Sequence, residues 1–144
     1  MVPGRFNLAT WMEMDVLVEE ALYTLSYNPE KEWLHMIWAG EPDLASIKRG
    51  CLDMLSALKR CHCSKILSDA RGVTQDWTEA SEWTGTVWYP LMYAAGLKHL
   101  AFVQAASAEC QLSIQLSLAY GNNPPLALCE DIEQARNWLS SRPC

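Results

Sequence analysis

The sequence predicts a single α/β domain in which a mixed sheet of about five strands carries helices on both faces. Short apolar runs alternate with amphipathic stretches, a pattern typical of parallel strands joined by helices. The first two runs are separated only by the turn Asn28–Lys31, which predicts an antiparallel hairpin. The expected order of elements is β-β-α-β-α-β-α-β-α.

Composition limits the classes of protein to which this chain could belong. With 144 residues, half of them hydrophobic, it suits one domain that buries roughly two-thirds of its unfolded surface. A net charge of -6 and scattered basic residues argue against a nucleic-acid partner, because phosphate binding needs clustered Lys and Arg. No apolar run approaches the ~20 residues of a membrane span, and the first residues lack the core of a signal peptide. We therefore expect a soluble, cytoplasmic protein.

The boundaries of the elements follow from periodicity and from turn residues. Residues 1–14 show no clear period and are expected to form an amino-terminal arm, so the domain spans residues 15–144. Strands are expected at 15–27, 32–39, 66–67, 97–103 and 126–129. The first helix is expected to start within Gly40–Asp43 and to fade at Cys61–Cys63. Further helices are expected at 74–95, from Ser107 or Ala108 up to the Gly121–Pro125 break, and at 131–139.

The segment from Lys65 to Trp77 is the most informative part of the chain. Its short apolar run predicts a buried strand, and Asp69 and Arg71 are expected in the turn that follows it. Thr74 is predicted to cap the next helix. Turns of this kind commonly carry the functional residues of α/β domains. Asp69 and Arg71 could bind a ligand or partner, but we expect them in the first place to pair with each other.

The predicted helix 74–95 carries a dense set of aromatic side chains: Trp77, Trp83, Trp88, Tyr89 and Tyr93. Pro90 falls inside it and predicts a kink, because proline removes a backbone donor and clashes with the preceding turn. Most of these side chains should belong to the core. One or two could line a pocket or anchor a partner, and Trp77 and Trp83 are the best candidates.

Nothing in the sequence forms a convincing catalytic or metal-binding set. Cys61-His62-Cys63 lacks the second ligand pair of a structural zinc site, and the six cysteines are expected to be reduced. We expect His35, His62 and His99 to be core or surface histidines whose ring nitrogens have hydrogen-bond partners. Glu79 and Glu82 could act as paired carboxylates, although a solvated helix face explains them equally well. We expect no enzyme activity, no metal and no cofactor.

Several short motifs occur in an order that resembles a known family. They are Trp38-Ala-Gly40, Ile66-Leu-Ser-Asp-Ala-Arg71, Trp88-Tyr-Pro90, Gly96-Leu-Lys98 and Asp131 followed by Ala135-Arg-Asn-Trp-Leu139. Together they resemble the STAS-like (SpoIIAA-like) domains related to anti-sigma-factor antagonists, in particular short stand-alone bacterial proteins. Signalling members carry a phosphorylated Ser directly after an Asp. Here Asp69 is followed by Ala70 and Arg71, so the resemblance implies the fold but not that switch.

Two functions remain open at this stage. The first is a non-enzymatic regulatory or protein-interaction module that binds through the ends of the third and fourth strands and the aromatic helix. Its candidate binding residues are Asp69, Arg71, Thr74, Trp77, Trp83 and Trp88. The second is a carrier or sensor of a small apolar ligand held between the aromatic helix 74–95 and the sheet. The apolar face of the hairpin could also form a homodimer.

Overall fold

A six-stranded mixed sheet lies at the centre of the molecule in a computed structural model that describes residues 14–120 and 125–144. Its strands are β1 (Asp15–Glu19), β2 (Tyr23–Asn28), β3 (Trp33–Gly40), β4 (Lys65–Val73), β5 (His99–Val103) and β6 (Leu126–Cys129). They lie side by side in sequence order. The first three are antiparallel and the last four, from β3 onward, are parallel. The predicted arm falls almost wholly on residues 1–13, outside the described residues.

The sheet has six strands and not the predicted five, because the run expected as one strand at 15–27 folds back on itself. The chain turns between Glu19 and Tyr23, and the Glu20 N–H donates to the Tyr23 carbonyl at 2.9 Å. The turn forms where Glu19 and Glu20 interrupt the apolar run. It allows Tyr23 and Leu25 to be buried beneath the helices while β1 stays at the edge.

The predicted hairpin between β2 and β3 is confirmed. The Asn28 side chain accepts from the Lys31 N–H at 3.0 Å, and the Asn28 carbonyl accepts from the Glu32 N–H at 2.7 Å. Glu32 adopts a φ of 60°, the left-handed conformation that closes the turn. Leu34 and Met36 of β3 are therefore aligned with β2 side chains on the face that the helices cover.

Helices cover both faces of the sheet, as predicted, but unequally. They are α1 (Leu44–Cys61), α2 (Thr78–Trp83), α3 (Tyr89–Ala94), α4 (Ala108–Ala119) and α5 (Ile132–Ser140), with a π turn (Thr84–Trp88) between α2 and α3. Each parallel connection places its helix on one face, over the larger core. Helix α5 alone packs on the other face, over a smaller core of β4, β5 and β6 side chains. None of the described helices is long and apolar enough to cross a membrane.

Helix α1 begins directly after the predicted start segment Gly40–Asp43. Asp43 is its N-cap and forms a capping box with Ser46: Asp43 Oδ1 accepts from the Ser46 N–H, and Ser46 Oγ accepts from the Asp43 N–H, both at 2.9 Å. Its buried stripe includes Ile47, Cys51, Met54 and Leu58. This helix closes one side of the space between the sheet and the aromatic helices.

Strand β4 is much longer than the predicted pair Ile66–Leu67, and this moves the following turn. It extends to Val73 because Gly72 and Val73 continue to pair with the end of β3, after an irregularity near Trp38. At its start, the buried Lys65 ammonium donates to the carbonyls of Leu139 at 2.7 Å and Arg142 at 2.6 Å. These bonds attach the carboxyl end of α5 to the centre of the sheet, where a lysine adds a charged donor to carbonyls at the end of the helix.

Gly50 is expected to be intolerant of a side chain. A Cβ there would lie 2.5 Å from the Trp38 ring, so Gly50→Ala should destabilise the domain by about 1–3 kcal/mol through overpacking. An alanine in an unconstrained helix would instead stabilise it by about 0.5–1 kcal/mol. Urea unfolding measures the difference, with Ser56→Ala on the exposed side of α1 as the control. A Gly50→Ala protein at least as stable as the wild type would contradict this packing.

Candidate functional site

The loops that follow β3 and β4 meet at the carboxyl edge of the sheet. The Gly40 carbonyl accepts from the Thr74 N–H at 2.9 Å and from Thr74 Oγ1 at 3.2 Å. The prediction that Thr74 caps the next helix is therefore wrong: its hydroxyl joins the two loops, and α2 starts only at Thr78. The start is displaced because β4 continues through Val73 and residues 74–77 are needed to leave the sheet.

The side of α4 that faces the sheet holds this loop through polar contacts. Ser113 Oγ accepts from the Trp77 N–H at 2.9 Å, and the Cys110 thiol donates to the Gln75 carbonyl at 3.4 Å. The Ser113 carbonyl accepts from the Ser81 hydroxyl at 2.8 Å. Since this inner stripe of α4 contains two buried serines, the helix is packed by hydrogen bonds as much as by apolar contact.

The predicted kink in the aromatic helix takes the form of a π turn. The Tyr89 N–H donates to the Thr84 carbonyl, five residues back, immediately before Pro90. Proline has no N–H to donate, so the wider turn occurs where the regular hydrogen-bond ladder must be interrupted. We call α2, the π turn and α3 together the aromatic segment, residues 78–94.

An apolar cavity of ≈ 50 Å³ lies between the aromatic segment, α1 and the sheet. Trp38, Met54, Trp88, Tyr89 and Phe102 are among its walls. The polar atoms of these walls are already bonded: Trp38 Nε1 donates to Ser68 Oγ at 3.2 Å, and Trp88 Nε1 donates to the Cys51 carbonyl at 2.8 Å. The cavity can therefore receive an apolar group of a ligand. Few atoms of its wall remain free to form hydrogen bonds that would orient a polar ligand.

The hydroxyl of Tyr89, another polar group of the cavity wall, also has a hydrogen-bond partner within the fold. Its oxygen lies 2.9 Å from Ser117 Oγ of α4 in a buried hydrogen bond. Burial, partly offset by this bond, holds the pKa of Tyr89 well above its ordinary value, so the phenol stays neutral at physiological pH. It therefore links the π turn to α4 and does not serve as an acid or base.

A polar groove of ≈ 270 Å³ opens next to the cavity at the carboxyl edge. Trp77, Pro42 and Ile47 line both spaces and so form the wall between them. The charged residues of the groove are the carboxylates Asp43 and Asp76 together with Glu79. Hydrogen bonds from the Ser46 side chain and backbone lower the pKa of Asp43, which keeps its negative charge as the N-cap of α1.

Asp69 and Arg71 pair with each other, as expected, but they do not lie in the turn. Both are inside β4, where Arg71 Nε donates to Asp69 Oδ1 at 2.9 Å and Nη2 donates to Oδ2 at 2.7 Å. Ser68 faces the cavity wall, so Asp69 points to the opposite face of the sheet. The structure therefore separates this pair from Trp77 and the groove.

The pKa of Asp69 reflects both its burial and its hydrogen bonds to the half-exposed Arg71. Burial raises the pKa of Asp69, but hydrogen bonds from the Arg71 side chain and backbone outweigh this effect and hold it below the ordinary 3.8. His35 lies nearby on the same face, and burial lowers its pKa despite the opposing charge of Asp69. Its Nε2 is buried without a partner among the described residues, so the expectation of a fully satisfied histidine is wrong for this nitrogen.

The three predicted tryptophans differ in exposure. Trp88 is buried and belongs to the core. Trp77 is half-buried against Phe102, with ring centroids 6.3 Å apart, and Trp83 is half-buried with Lys48 Nζ 5.6 Å from its ring centroid. Only Trp77 and Trp83 could therefore contact a partner.

The main surface feature of the aromatic segment was not predicted. Val87, Leu91 and Tyr93 project outward and are exposed. A signal was available, because the sequence contains no charged residue from Trp83 to Leu97. Solvated helices normally carry charges on their outer side, so an uncharged run that includes outward positions indicates a contact surface.

Together these features define a small single-domain α/β protein with a polar groove at the carboxyl edge of its sheet. No protein-family model matches the chain, and no curated protein matches its sequence. It is similar to the crystal structure of an uncharacterized protein of the DUF3478 family, with a SpoIIAA-like fold, from Shewanella loihica PV-4. The TM-score is 0.50 at 14% identity, over 88% of this chain and 91% of that chain. The chain therefore has a SpoIIAA-like fold, as the sequence motifs suggest.

Removing Arg71 is expected to cost stability in a pH-dependent way. Arg71→Ala leaves the Asp69 carboxylate buried without its charged partner, a loss of about 1 kcal/mol at neutral pH, given that Arg71 is itself half exposed. The pair stabilises the native state fully above the ordinary pKa of 3.8, and this contribution is lost as the pH falls through the lowered native pKa.

The difference in unfolding free energy between wild type and Arg71→Ala should therefore shrink from pH 7 toward pH 3. Urea unfolding at several pH values measures it, and Lys31→Ala, in the exposed β2–β3 turn, is the control. A difference that stays constant or grows at acid pH would show that Asp69 and Arg71 do not stabilise the fold as an ion pair.

Proposed function

We propose that this protein is a non-enzymatic protein-interaction module of the STAS-like type, and that it binds its partner through the aromatic segment. The observation that carries the proposal is the uncharged outer side of residues 83–94, the part of that segment that follows Glu79 and Glu82. Leu91 is 42% exposed and Tyr93 is 63% exposed, and no charged residue interrupts the run. Interface cores are depleted in charged residues and enriched in aromatic ones, which is the composition found here.

The half-buried tryptophans extend this surface toward the carboxyl edge. Trp83 belongs to the aromatic segment, and Trp77 lies at the groove that separates the segment from α1. Rigid aromatic side chains at the border of an apolar patch are favourable anchors, because little conformational entropy is lost when they are covered. A partner with an apolar, weakly charged surface fits this arrangement.

The mechanism we propose does not include the phosphorylation switch of the signalling relatives. Ser68 is buried, and its hydroxyl accepts from Trp38 Nε1. Ala70 and Arg71, which follow Asp69, offer no hydroxyl. Regulation by modification at this strand would require the strand to leave the core, so we propose that binding itself is the regulated event.

Leu91→Glu is expected to abolish capture of the partner while leaving the fold intact. A charge at an exposed position changes stability by less than about 0.5 kcal/mol, yet it is strongly unfavourable inside an apolar interface. The measurement is chemical crosslinking and affinity capture from the native host, followed by mass spectrometry and reconstitution with the captured protein.

Leu52→Glu is the matched control. Leu52 lies on the outer side of α1, outside the aromatic segment, and its exposure of 47% is close to that of Leu91. A partner that survives Leu91→Glu, or that is lost equally with Leu52→Glu, would exclude the aromatic segment as the binding surface.

The internal cavity supports a second candidate function, carriage or sensing of a small apolar ligand. A cavity of ≈ 50 Å³ is smaller than an engineered cavity of about 150 Å³ that accepts benzene. A ligand would therefore require the aromatic segment to move outward. The interrupted helix at the π turn is a natural place for such a movement.

Native and denaturing mass spectra of protein purified gently from its own host test this candidate. A small mass present only in the native spectrum would support carriage, and Ala70→Leu, which fills part of the cavity, should remove it. Thermal unfolding of the Ala70→Leu protein checks that it remains folded. A bare chain in the native spectrum would remove the carrier hypothesis in favour of the interaction module.

A further inference from the structure

The face of the sheet opposite the aromatic segment is only partly covered by a helix. Helix α5 packs there on β4, β5 and β6. On the β1–β3 half of the same face, Val16 is 56% exposed and Ile37 is 44% exposed. Helix α5 therefore forms a wall beside an open floor of sheet. We call four residues of this floor and one residue of the wall the ledge: Val16, Ser26, His35, Ile37 and Arg136 of α5.

Strand pairing places the floor residues side by side. Ser26 and His35 are direct partners of the β2–β3 pair, so their Cβ atoms lie on one face about 4.5–5.5 Å apart. Val16 is the partner of Ser26 on β1, and Ile37 lies two positions after His35 on β3. Since side chains two positions apart point to the same face, all four belong to it. The floor ends at Asp69, the partner of Ile37 on β4.

Two polar side chains of the floor lack hydrogen-bond partners. Ser26 is only 8% exposed, and its hydroxyl forms no hydrogen bond with any residue that the structure describes. His35 Nε2 is buried without a partner among the same residues. A proton on Nε2 would be an unsatisfied donor, so the neutral ring carries its N–H on Nδ1. Buried polar groups of native proteins are nearly always satisfied, and two adjacent exceptions indicate that a molecule outside the chain contacts both.

The charged groups near His35 leave a single positive charge unmatched. Arg71 and Asp69 neutralise each other in their bidentate pair. Arg136 is exposed, and it forms no ion pair with a described residue. Burial is the main cause that lowers the pKa of His35, and the charges of Arg136 and Arg71 lower it further, which places both guanidinium groups near the ring. The positive charge of Arg136 therefore lies beside the two unsatisfied polar groups.

We propose that the ledge binds a small carboxylate with an apolar chain. The guanidinium of Arg136 binds the carboxylate in a bidentate way, while the Nδ1–H of His35 and the Ser26 hydroxyl donate to its oxygens. The chain covers the exposed side chains of Ile37 and Val16. A carboxylate carries one negative charge and matches the single positive charge of the ledge, whereas a phosphate dianion would leave one negative charge unmatched.

This site is separate from the internal cavity and from the proposed interaction surface. Both of those lie on the other face of the sheet, with the aromatic segment. The polar atoms of the cavity wall, such as Trp38 Nε1 and Trp88 Nε1, already have partners. The Ser26 hydroxyl and His35 Nε2 have none among the described residues. An uncharged apolar molecule therefore suits the cavity, and a carboxylate suits the ledge.

Titration of the full chain with straight-chain carboxylates, followed by the NMR chemical shifts of the backbone amides, tests the site. The probes are acetate, butyrate and hexanoate, with hexylamine, hexanol and inorganic phosphate as matched compounds. Hexanoate should shift the amides of Ser26, His35 and Ile37 most strongly. It should bind more tightly than acetate, by up to about 4-fold for each methylene that the ledge covers. The amine, the alcohol and phosphate should bind at least about 10-fold more weakly than hexanoate, because each lacks either the carboxylate or the chain.

Two substitutions separate the polar part of the site from the apolar part. Arg136→Gln should weaken hexanoate binding about 10-fold, the loss expected for a charge-assisted hydrogen bond. Arg60→Gln, at an exposed position in the last turn of α1, is the matched control and should leave binding unchanged. Ile37→Thr should remove most of the gain per methylene and leave acetate binding unchanged. All three positions are exposed, so the variants should remain folded, which thermal unfolding checks.

The proposal is overturned if hexanoate shifts none of the ledge amides, if hexylamine, hexanol or phosphate shifts them as strongly, or if Arg136→Gln binds hexanoate as tightly as Arg60→Gln does. Shifts confined to the amides of Trp38, Met54 and Trp88 would place hexanoate in the cavity and would also overturn it. Because the ledge lies on the face opposite the aromatic segment, the proposed interaction module stands or falls independently of these outcomes.

Discussion

Polar docking of α4 against the aromatic segment is the interaction on which the rest of the functional architecture depends. Ser113 accepts from the Trp77 backbone, and Ser117 bonds to the Tyr89 phenol. The second contact is buried and the first is partly buried, so leaving a partner unpaired would cost about 1–3 kcal/mol at the buried one. They hold the loop after β4 and fix the π turn in place. They also orient α4 with its serines inward, which leaves its leucines on the surface.

The same packing explains why the cavity, the groove and the outer sides of the aromatic segment and α4 differ in polarity. Wall groups that could orient a polar ligand already bond within the fold, as Trp38 does to Ser68 and Trp88 to the Cys51 carbonyl. The interior is therefore suited to apolar groups. Polar groups line the adjacent groove instead, where the charged side chains are carboxylates. Apolar side chains without charged neighbours remain on the outer sides of the aromatic segment and of α4.

The predicted site was only partly correct, and the errors share a physical cause. Asp69, Arg71 and Thr74 were expected at one turn because the strand was read as ending at Leu67. The strand continues because β3 offers it backbone partners as far as Gly40, a long-range effect that no local pattern contains. Alternation along the longer strand then places Asp69 on the face opposite Ser68, away from the groove. The extra strand β1 likewise depends on pairing with β2.

The sequence by itself determined the α/β class, the β2–β3 hairpin, the start of α1 to within the segment Gly40–Asp43 and the interruption near Pro90. Turn chemistry, capping and the missing proline N–H act over a few residues and are therefore visible in a local pattern. The tertiary structure alone decided which side of each element is covered. In α4, serines and leucines alternate in a pattern that does not reveal which set is buried. Only the docking partners on the aromatic segment select the serines, and this choice creates the exposed apolar face.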